Sequence, residues 1–145
     1  AKYSDRYSNV FFIDILDFDE LYDFTVTTLP RIPVQAVFID SVNSLFRVSA
    51  YRENTLSKYA FILGLIKYIT VSNNIYVFST AQIRSGFEDE DEFVASGMNI
   101  LDFWFDNIFK MNVDSKGRFV EVVKPRGLNI KRYYIITDEG ILWTT

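Results

Sequence analysis

The 145-residue sequence contains no cysteine and no histidine. These two absences remove disulfide frameworks, Cys or His zinc sites, thiol nucleophiles and Ser-His-Asp triads. Any catalysis therefore rests on carboxylates, Lys, Arg, Tyr, hydroxyls, amides or an oxygen-ligated metal. Zero cysteines is compatible with a cytoplasmic location, although it assigns no redox compartment. Punctuation is sparse, with six Gly and three Pro, and neither a repeat nor a low-complexity linker divides residues 1–145, so a single domain is expected. Long hydrophobic runs are missing too. Residues 60–71 are broken by Lys67 and fall short of the roughly 20 residues of a membrane span, so no membrane partner is expected. The sequence opens on polar residues rather than a secretory leader, and Ala1 in place of Met agrees with a processed chain, an expression scar or a fragment.

What is present suits a packed soluble domain. Hydrophobic residues make up 49% of the chain, and fourteen Phe, nine Tyr and two Trp supply large apolar area, which argues against intrinsic disorder. Residues 9–15 (NVFFIDI) read as a buried strand. Asp17 can then cap a helix in which Phe18, Leu21, Tyr22, Val26 and Leu29 recur at three- and four-residue steps, ended by Pro30 and Pro33. Residues 36–39 (AVFI) form a second expected strand. A long helical pattern follows through Leu56, Tyr59, Ala60, Leu63, Ile66 and Ile69, and Asn73 and Asn74 precede a third strand at 75–79. Alternating helices and near-continuously apolar strands predict an α/β fold: a parallel sheet with helices on both faces. Farther on, residues 104–113 and 118–124 alternate around a turn at 114–117, and 133–136 and 141–143 flank a turn at 138–140. These are expected as antiparallel strands extending the parallel core at its carboxyl-terminal end.

Charge is uneven. Residues 88–92 (EDEDE) are five consecutive acids, whereas 110–132 hold seven bases against two acids. Either stretch can be a plain solvated surface, and strand alternation can also line several of the bases on one face.

The strongest local signal is VFIDS at 37–41, apolar strand residues ending in an acid and a hydroxyl. Ligands of open α/β sheets bind at the carboxyl ends of the strands. Asp40 with Ser41 there suits a hydrated Mg²⁺, which keeps several waters and takes one or two protein oxygens; the same residues would equally cap a segment or close a turn. The next strand ends in Ser79-Thr80-Ala81-Gln82, and the Gln82 amide can bond a phosphate oxygen or a water, or be an ordinary loop amide. Lys124-Pro125-Arg126-Gly127 places two cations at a strand end, a point charge and a planar fork suited to phosphate.

In this order, VFIDSVNSLFR (37–47), a long helix, IYVFSTAQIRS (75–85) and SGMNILDFWFDNIFKM (96–111) resemble the second half of the RecA/RadA recombinase ATPase core. EVVKPRGLNIKRYYIITDEGI (121–141) is similar to the KaiC branch of the same P-loop superfamily. The resemblance runs from Tyr7 onward, and the chain resembles an archaeal-type RadA paralogue. It implies a partial RecA-like core and a Mg-dependent ATPase acting in DNA recombination or repair. Asp40 would be the Walker B acid on the Mg²⁺ water shell with Ser41 beside it, and Gln82 the sensor of the γ-phosphate. Lys124 and Arg126 would be the pair reaching nucleotide across a subunit interface. The segments after Arg47 and after Gln82 would match the two DNA loops, making Arg47, Arg52 and Arg84 candidate contacts to single-stranded DNA.

The sequence departs from that pattern in several places. No Gly is followed by Lys, so the phosphate-binding loop G-x-x-x-x-G-K-[ST] is absent, and the chain alone is expected to bind ATP poorly and to hydrolyse none. The family's catalytic carboxylate belongs to an earlier segment, and Asp14 and Asp17 fall too late to replace it. Gln82 follows Ala81 rather than Asn, and the acids at 88–92 oppose phosphate beside Arg84. The expectation is the carboxyl-terminal part of a RecA-like ATPase domain whose P-loop lies in a missing upstream segment, with self-association or related RecA-like subunits as partners. The alternative is a non-catalytic RecA-like module that assembles with and regulates an active ATPase. A third reading has the basic hairpin bind nucleic acid through Phe119, Tyr133, Tyr134 or Trp143, though alternation favours most of these as core.

Overall fold

The computed structural model of the chain describes residues 8–49, 54–84, 94–95 and 98–144, with backbone alone for 47–49, 83–84, 94–95 and 98. The fold is mixed α/β: a small two-stranded parallel sheet with helices, and a four-stranded antiparallel sheet in the carboxyl-terminal part. The chain divides into two compact units, residues 1–96 and 97–145.

In the first unit, helix α1 (Phe18–Asp23) starts where the sequence places its cap. The Asp17 carboxylate accepts from the N–H groups of Asp19 and Glu20 at 2.9 Å, and Glu20 reaches back to accept from Leu16 N–H at 2.7 Å. Both satisfy donors that the first turn leaves without intrahelical partners. The helix then widens into a π turn (Phe24–Thr28) and tightens into a 3-10 turn (Leu29–Arg31) at Pro30. Phe18, Leu21, Thr25 and Leu29 stay on one buried face throughout.

The expected strand at 9–15 does not form. Residues 10–16 carry no regular structure, and Val10, Phe11, Phe12, Ile13 and Leu16 are exposed. An apolar run becomes a strand only where a neighbour completes its backbone hydrogen bonds, and the described residues supply none here.

Strand β1 (Ala36–Ile39) leads through helices α2 (Ser44–Ser49) and α3 (Thr55–Asn73) to β2 (Tyr76–Ser79). β1 and β2 pair in parallel, from Ala36 opposite Tyr76 to Ile39 opposite Ser79. Asn74 ends α3 in the left-handed region (φ 54°), its N–H turned back to the carbonyls of Thr70 and Val71, a stop that Asn tolerates better than most residues. Tyr59, Ile62, Leu63, Ile66 and Ile69 of α3 are buried. Phe46 stacks on Tyr59 at 5.1 Å between ring centroids, and Phe18 meets it edge-on at 6.3 Å. The helix is apolar on its other side as well, where Leu56, Phe61, Tyr68 and Val71 are exposed, and Phe38 and Phe78 stack at 5.0 Å on an exposed face of the strand pair. A short two-stranded pair, β3 (Ile83–Arg84) with β4 (Val94–Ala95), completes this unit.

In the second unit, helix α4 (Met98–Trp104) occupies the start of the segment expected as a strand from 104, and β5 begins only at Ile108 (Ile108–Asp114). Leu101 is buried, with Trp104 three residues on, a helical step that local alternation had masked. Strands β6 (Gly117–Lys124), β7 (Lys131–Thr137) and β8 (Gly140–Thr144) follow, and the sheet runs β5-β6-β7-β8, antiparallel throughout, as a sheet of its own. Gly117 and Gly140 close its two tight turns at φ 133° and 129°, angles that residues with a Cβ rarely adopt. Among the described residues no helix is long and apolar enough to cross a membrane.

Candidate functional site

Strand pairing brings Asp40 and Thr80 together at the carboxyl ends of β1 and β2. Thr80 N–H donates to the Ile39 carbonyl at 3.1 Å, and the Thr80 hydroxyl donates to Asp40 Oδ1 at 2.5 Å. That bond orients an exposed carboxylate and takes up one of its oxygens. Ser41 follows across a cis peptide, and its residue is only 9% exposed. Its hydroxyl is buried and has no hydrogen-bond partner among the described residues. Its carbonyl is occupied, accepting from both the N–H and the hydroxyl of Ser44 at 3.2 and 2.8 Å.

Gln82 lies two residues past Thr80 with an exposed side chain, and its backbone is tied to Asn43 in both directions. Asn43 Nδ2 donates to the Gln82 carbonyl and Gln82 N–H donates to Asn43 Oδ1, each at 2.9 Å. Asn43 itself is fully buried. Asp40, Ser41 and Gln82, three residues selected from sequence, therefore sit on adjoining strand tips. Asn43 and Thr80 are the partners sequence reasoning did not single out, although Thr80 stood within the polar cluster after β2.

The donor set is one carboxylate and hydroxyls, all hard oxygens. Among the described residues no group of three or more acidic, His or Cys side chains converges to cage a metal. A cation that retains its own waters and needs one protein carboxylate fits these groups, and Ser41, the residue after Asp40, adds a hydroxyl with no partner among the described residues.

Lys124 and Arg126 belong to the second unit and meet there on one residue of α4. Lys124 Nζ donates to the Asp102 carbonyl, and Arg126 forms an ion pair with the Asp102 carboxylate at 3.3 Å. The Asp102 carbonyl is among the last four of α4, which lack intrahelical donors, so an ammonium there satisfies the helix end and opposes its negative pole. The Arg126 side chain remains 84% exposed. For Arg47 in α2 and Arg84 in β3 the backbone alone is described, and Arg52 and the acids 88–92 lie outside the described residues.

A second polar cluster, not singled out from sequence, joins the β5–β6 turn to β7. Asp114 accepts from Lys131 Nζ at 2.6 Å, from the Tyr133 hydroxyl at 2.9 Å and from Lys116 N–H at 2.9 Å. Lys131 also lies 3.5 Å from the centroid of the Phe119 ring. The Lys131 bond, helped by those of Lys116 and Tyr133, holds the Asp114 carboxyl down at about 2. Of the aromatics considered for base stacking, Phe119 and Tyr134 are buried, Tyr133 is half-buried and bound to Asp114, and Trp143 is exposed.

An open groove of about 530 Å³ between α1 and α3, lined by Phe18, Tyr22, Phe61 and Ile62, is mostly apolar and is crossed by the Lys58–Asp19 ion pair. It lacks the convergent polar groups that the strand tips have. No protein-family model matches the chain, and no curated protein matches it.

Proposed function

We propose that the chain is the carboxyl-terminal part of a RecA-like, Mg-dependent ATPase of the recombinase or KaiC-like kind, acting in DNA recombination or repair. Its phosphate-binding loop would be supplied by a segment outside this sequence. The observation that carries the reading is the strand-tip arrangement: Asp40 oriented by Thr80 and followed by Ser41, whose buried hydroxyl has no partner among the described residues, at the carboxyl ends of two parallel strands. Asp40 would hold the water shell of Mg²⁺, which supplies charge neutralisation at the phosphates when bound. Gln82 would meet the terminal phosphate or the attacking water through its amide, and Arg126, whose side chain is largely exposed, would reach phosphate on a neighbouring subunit. ATP and Mg²⁺ are thus ligands of the completed protein rather than tight ligands of these residues alone.

One observation favours the second reading, a non-catalytic RecA-like module that assembles with an active ATPase. Lys124 and Arg126 already have a partner in Asp102 of their own unit, so their presence does not require a phosphate.

The deciding experiment joins the chain to the segment encoded upstream of Ala1 and measures ATP turnover. Under the first reading Asp40→Asn lowers turnover by about a hundredfold or more, the scale for removing one preorganised electrostatic group. Normal turnover in that variant removes the catalytic assignment. An upstream segment without a phosphate loop leaves the regulatory module.

A further inference from the structure

Beyond the ends of β1 and β2 the two chains remain side by side. Thr80 N–H donates to the Ile39 carbonyl, and Val42 N–H donates to the Thr80 carbonyl at 3.0 Å. At the next step a side chain takes over the ladder. The Asn43 carboxamide presents one donor and one acceptor to the Gln82 backbone, as a paired peptide would, and both bonds are 2.9 Å long. Asn43 is 0% exposed, so its amide is held by packing, while Asp40, Thr80 and Gln82 lie open to ligand. Strand β3 begins at the residue after Gln82.

We propose that Asn43 is the positioning residue of the strand-tip site: it locks Gln82 beside the Asp40–Thr80 pair, so that occupation of Asp40 is felt by the chain entering β3. The proposal rests on reading Asp40 as the group that holds a hydrated cation. Truncating Asn43 leaves the Gln82 N–H and carbonyl without these partners, whereas the Asp40–Thr80 bond and the β1–β2 ladder do not involve the Asn43 side chain. A buried amide that merely filled space would, on removal, weaken the whole unit without singling out Gln82.

The test uses the ¹⁵N-labelled 145-residue chain with two readouts, amide hydrogen exchange and line broadening by Mn²⁺ alone. In the wild type, Gln82 N–H exchanges at least tenfold more slowly than an unprotected peptide. Mn²⁺ broadens Asp40, Thr80 and Gln82, and Asp40→Asn abolishes that set. In Asn43→Ala, Gln82 loses its protection at least tenfold, while Asp40 and Thr80 stay in the broadened set and the β1–β2 amides keep their protection within about twofold. Asn43→Ser, whose hydroxyl ends one bond short of the carboxamide atoms, shows the same loss at Gln82. Fast exchange of Gln82 in the wild type overturns the proposal, as does an Asn43→Ala chain in which Gln82 remains protected. Where Asn43→Ala does not fold, the wild-type exchange and Asn43→Ser decide. Absence of broadening at Asp40 in the wild type removes the cation reading instead, and the exchange data still decide whether Asn43 holds Gln82.

Discussion

The two units of this chain spend their polar groups differently. In the first, a parallel strand pair ends in an acid oriented by a single hydroxyl, a buried serine hydroxyl with no described partner, and a glutamine anchored through its backbone. In the second, Asp114 is saturated by Lys131, Tyr133 and the Lys116 N–H, Lys110 faces Glu121 at 3.7 Å, and Asp102 takes up Lys124 and Arg126. Groups that satisfy one another stabilise a fold, whereas groups left oriented and incomplete are what a ligand can use. The strand tips are therefore the better site, although the second unit carries more of the ion pairs among the described residues.

The largest effect expected from breaking this comparison lies in the buried ring cluster of the first unit. Tyr59→Ala removes the ring that Phe46 and Phe18 pack against and should cost about 3–5 kcal/mol, the range for a large aromatic cut from a core. Denaturant unfolding followed at residues of each unit should show the loss in residues 8–84 while β5–β8 hold. A common loss in both would mean that the units unfold as one. Tyr59→Phe, in contrast, removes a buried hydroxyl with no described partner and should leave stability unchanged or raise it by up to about 1 kcal/mol.

Next in size is Asp17→Ala, which should cost about 1 kcal/mol in the first unit by freeing the N–H groups of Asp19 and Glu20. This cap was legible because its signal is local: an acid before a three-and-four apolar rhythm. The Asn74 stop, strands β1 and β2 and both antiparallel hairpins were legible for the same reason. Residues 9–15 were misread because a strand needs a neighbour, and composition does not say whether one is at hand. Helix α4 was missed because Trp104 and the residues after it alternate like a strand while Leu101 sets a helical step. Within the site, Asp40, Ser41 and Gln82 carried type and position in sequence. Asn43 did not, because its partner is 39 residues away and only the pairing of β1 with β2 brings them together.

The same contrast predicts opposite pH limits. Burial holds the Tyr59 hydroxyl well above the ordinary tyrosine value of 10.0. A group whose pKa rises on folding favours the fold below its unfolded value, so the first unit loses stability as pH climbs above about 10. Asp114 is the reverse case, lowered from 3.8 to about 2 chiefly by its Lys131 bond. It favours the fold above its unfolded value, and that contribution disappears as pH falls from about 4 to about 2. Thermal unfolding across pH should show an acid-side loss in β5–β8 that Asp114→Asn flattens, and an alkaline-side loss in the first unit that Tyr59→Phe flattens. An unchanged acid limb in Asp114→Asn would show that other carboxylates set it.

The smallest expected effect bears most directly on function. Arg126 is 84% exposed and its carboxylate partner Asp102 is 35% exposed, so their ion pair is screened by water, and Arg126→Ala should change stability by no more than about 1 kcal/mol. Lys124→Met should cost more, because it strips a charged donor from a carbonyl at the end of α4. The two cations, two residues apart in sequence and sharing Asp102, thus separate into one that the fold needs and one that it hardly notices. If Arg126→Ala is as destabilising as Lys124→Met, both cations are structural and the phosphate role loses its more exposed candidate. If it is silent in stability yet lowers turnover of the assembled, completed protein, while leaving a dissociated subunit unaffected, the arginine acts on a neighbour's nucleotide and the ion pair with Asp102 is where it rests between contacts.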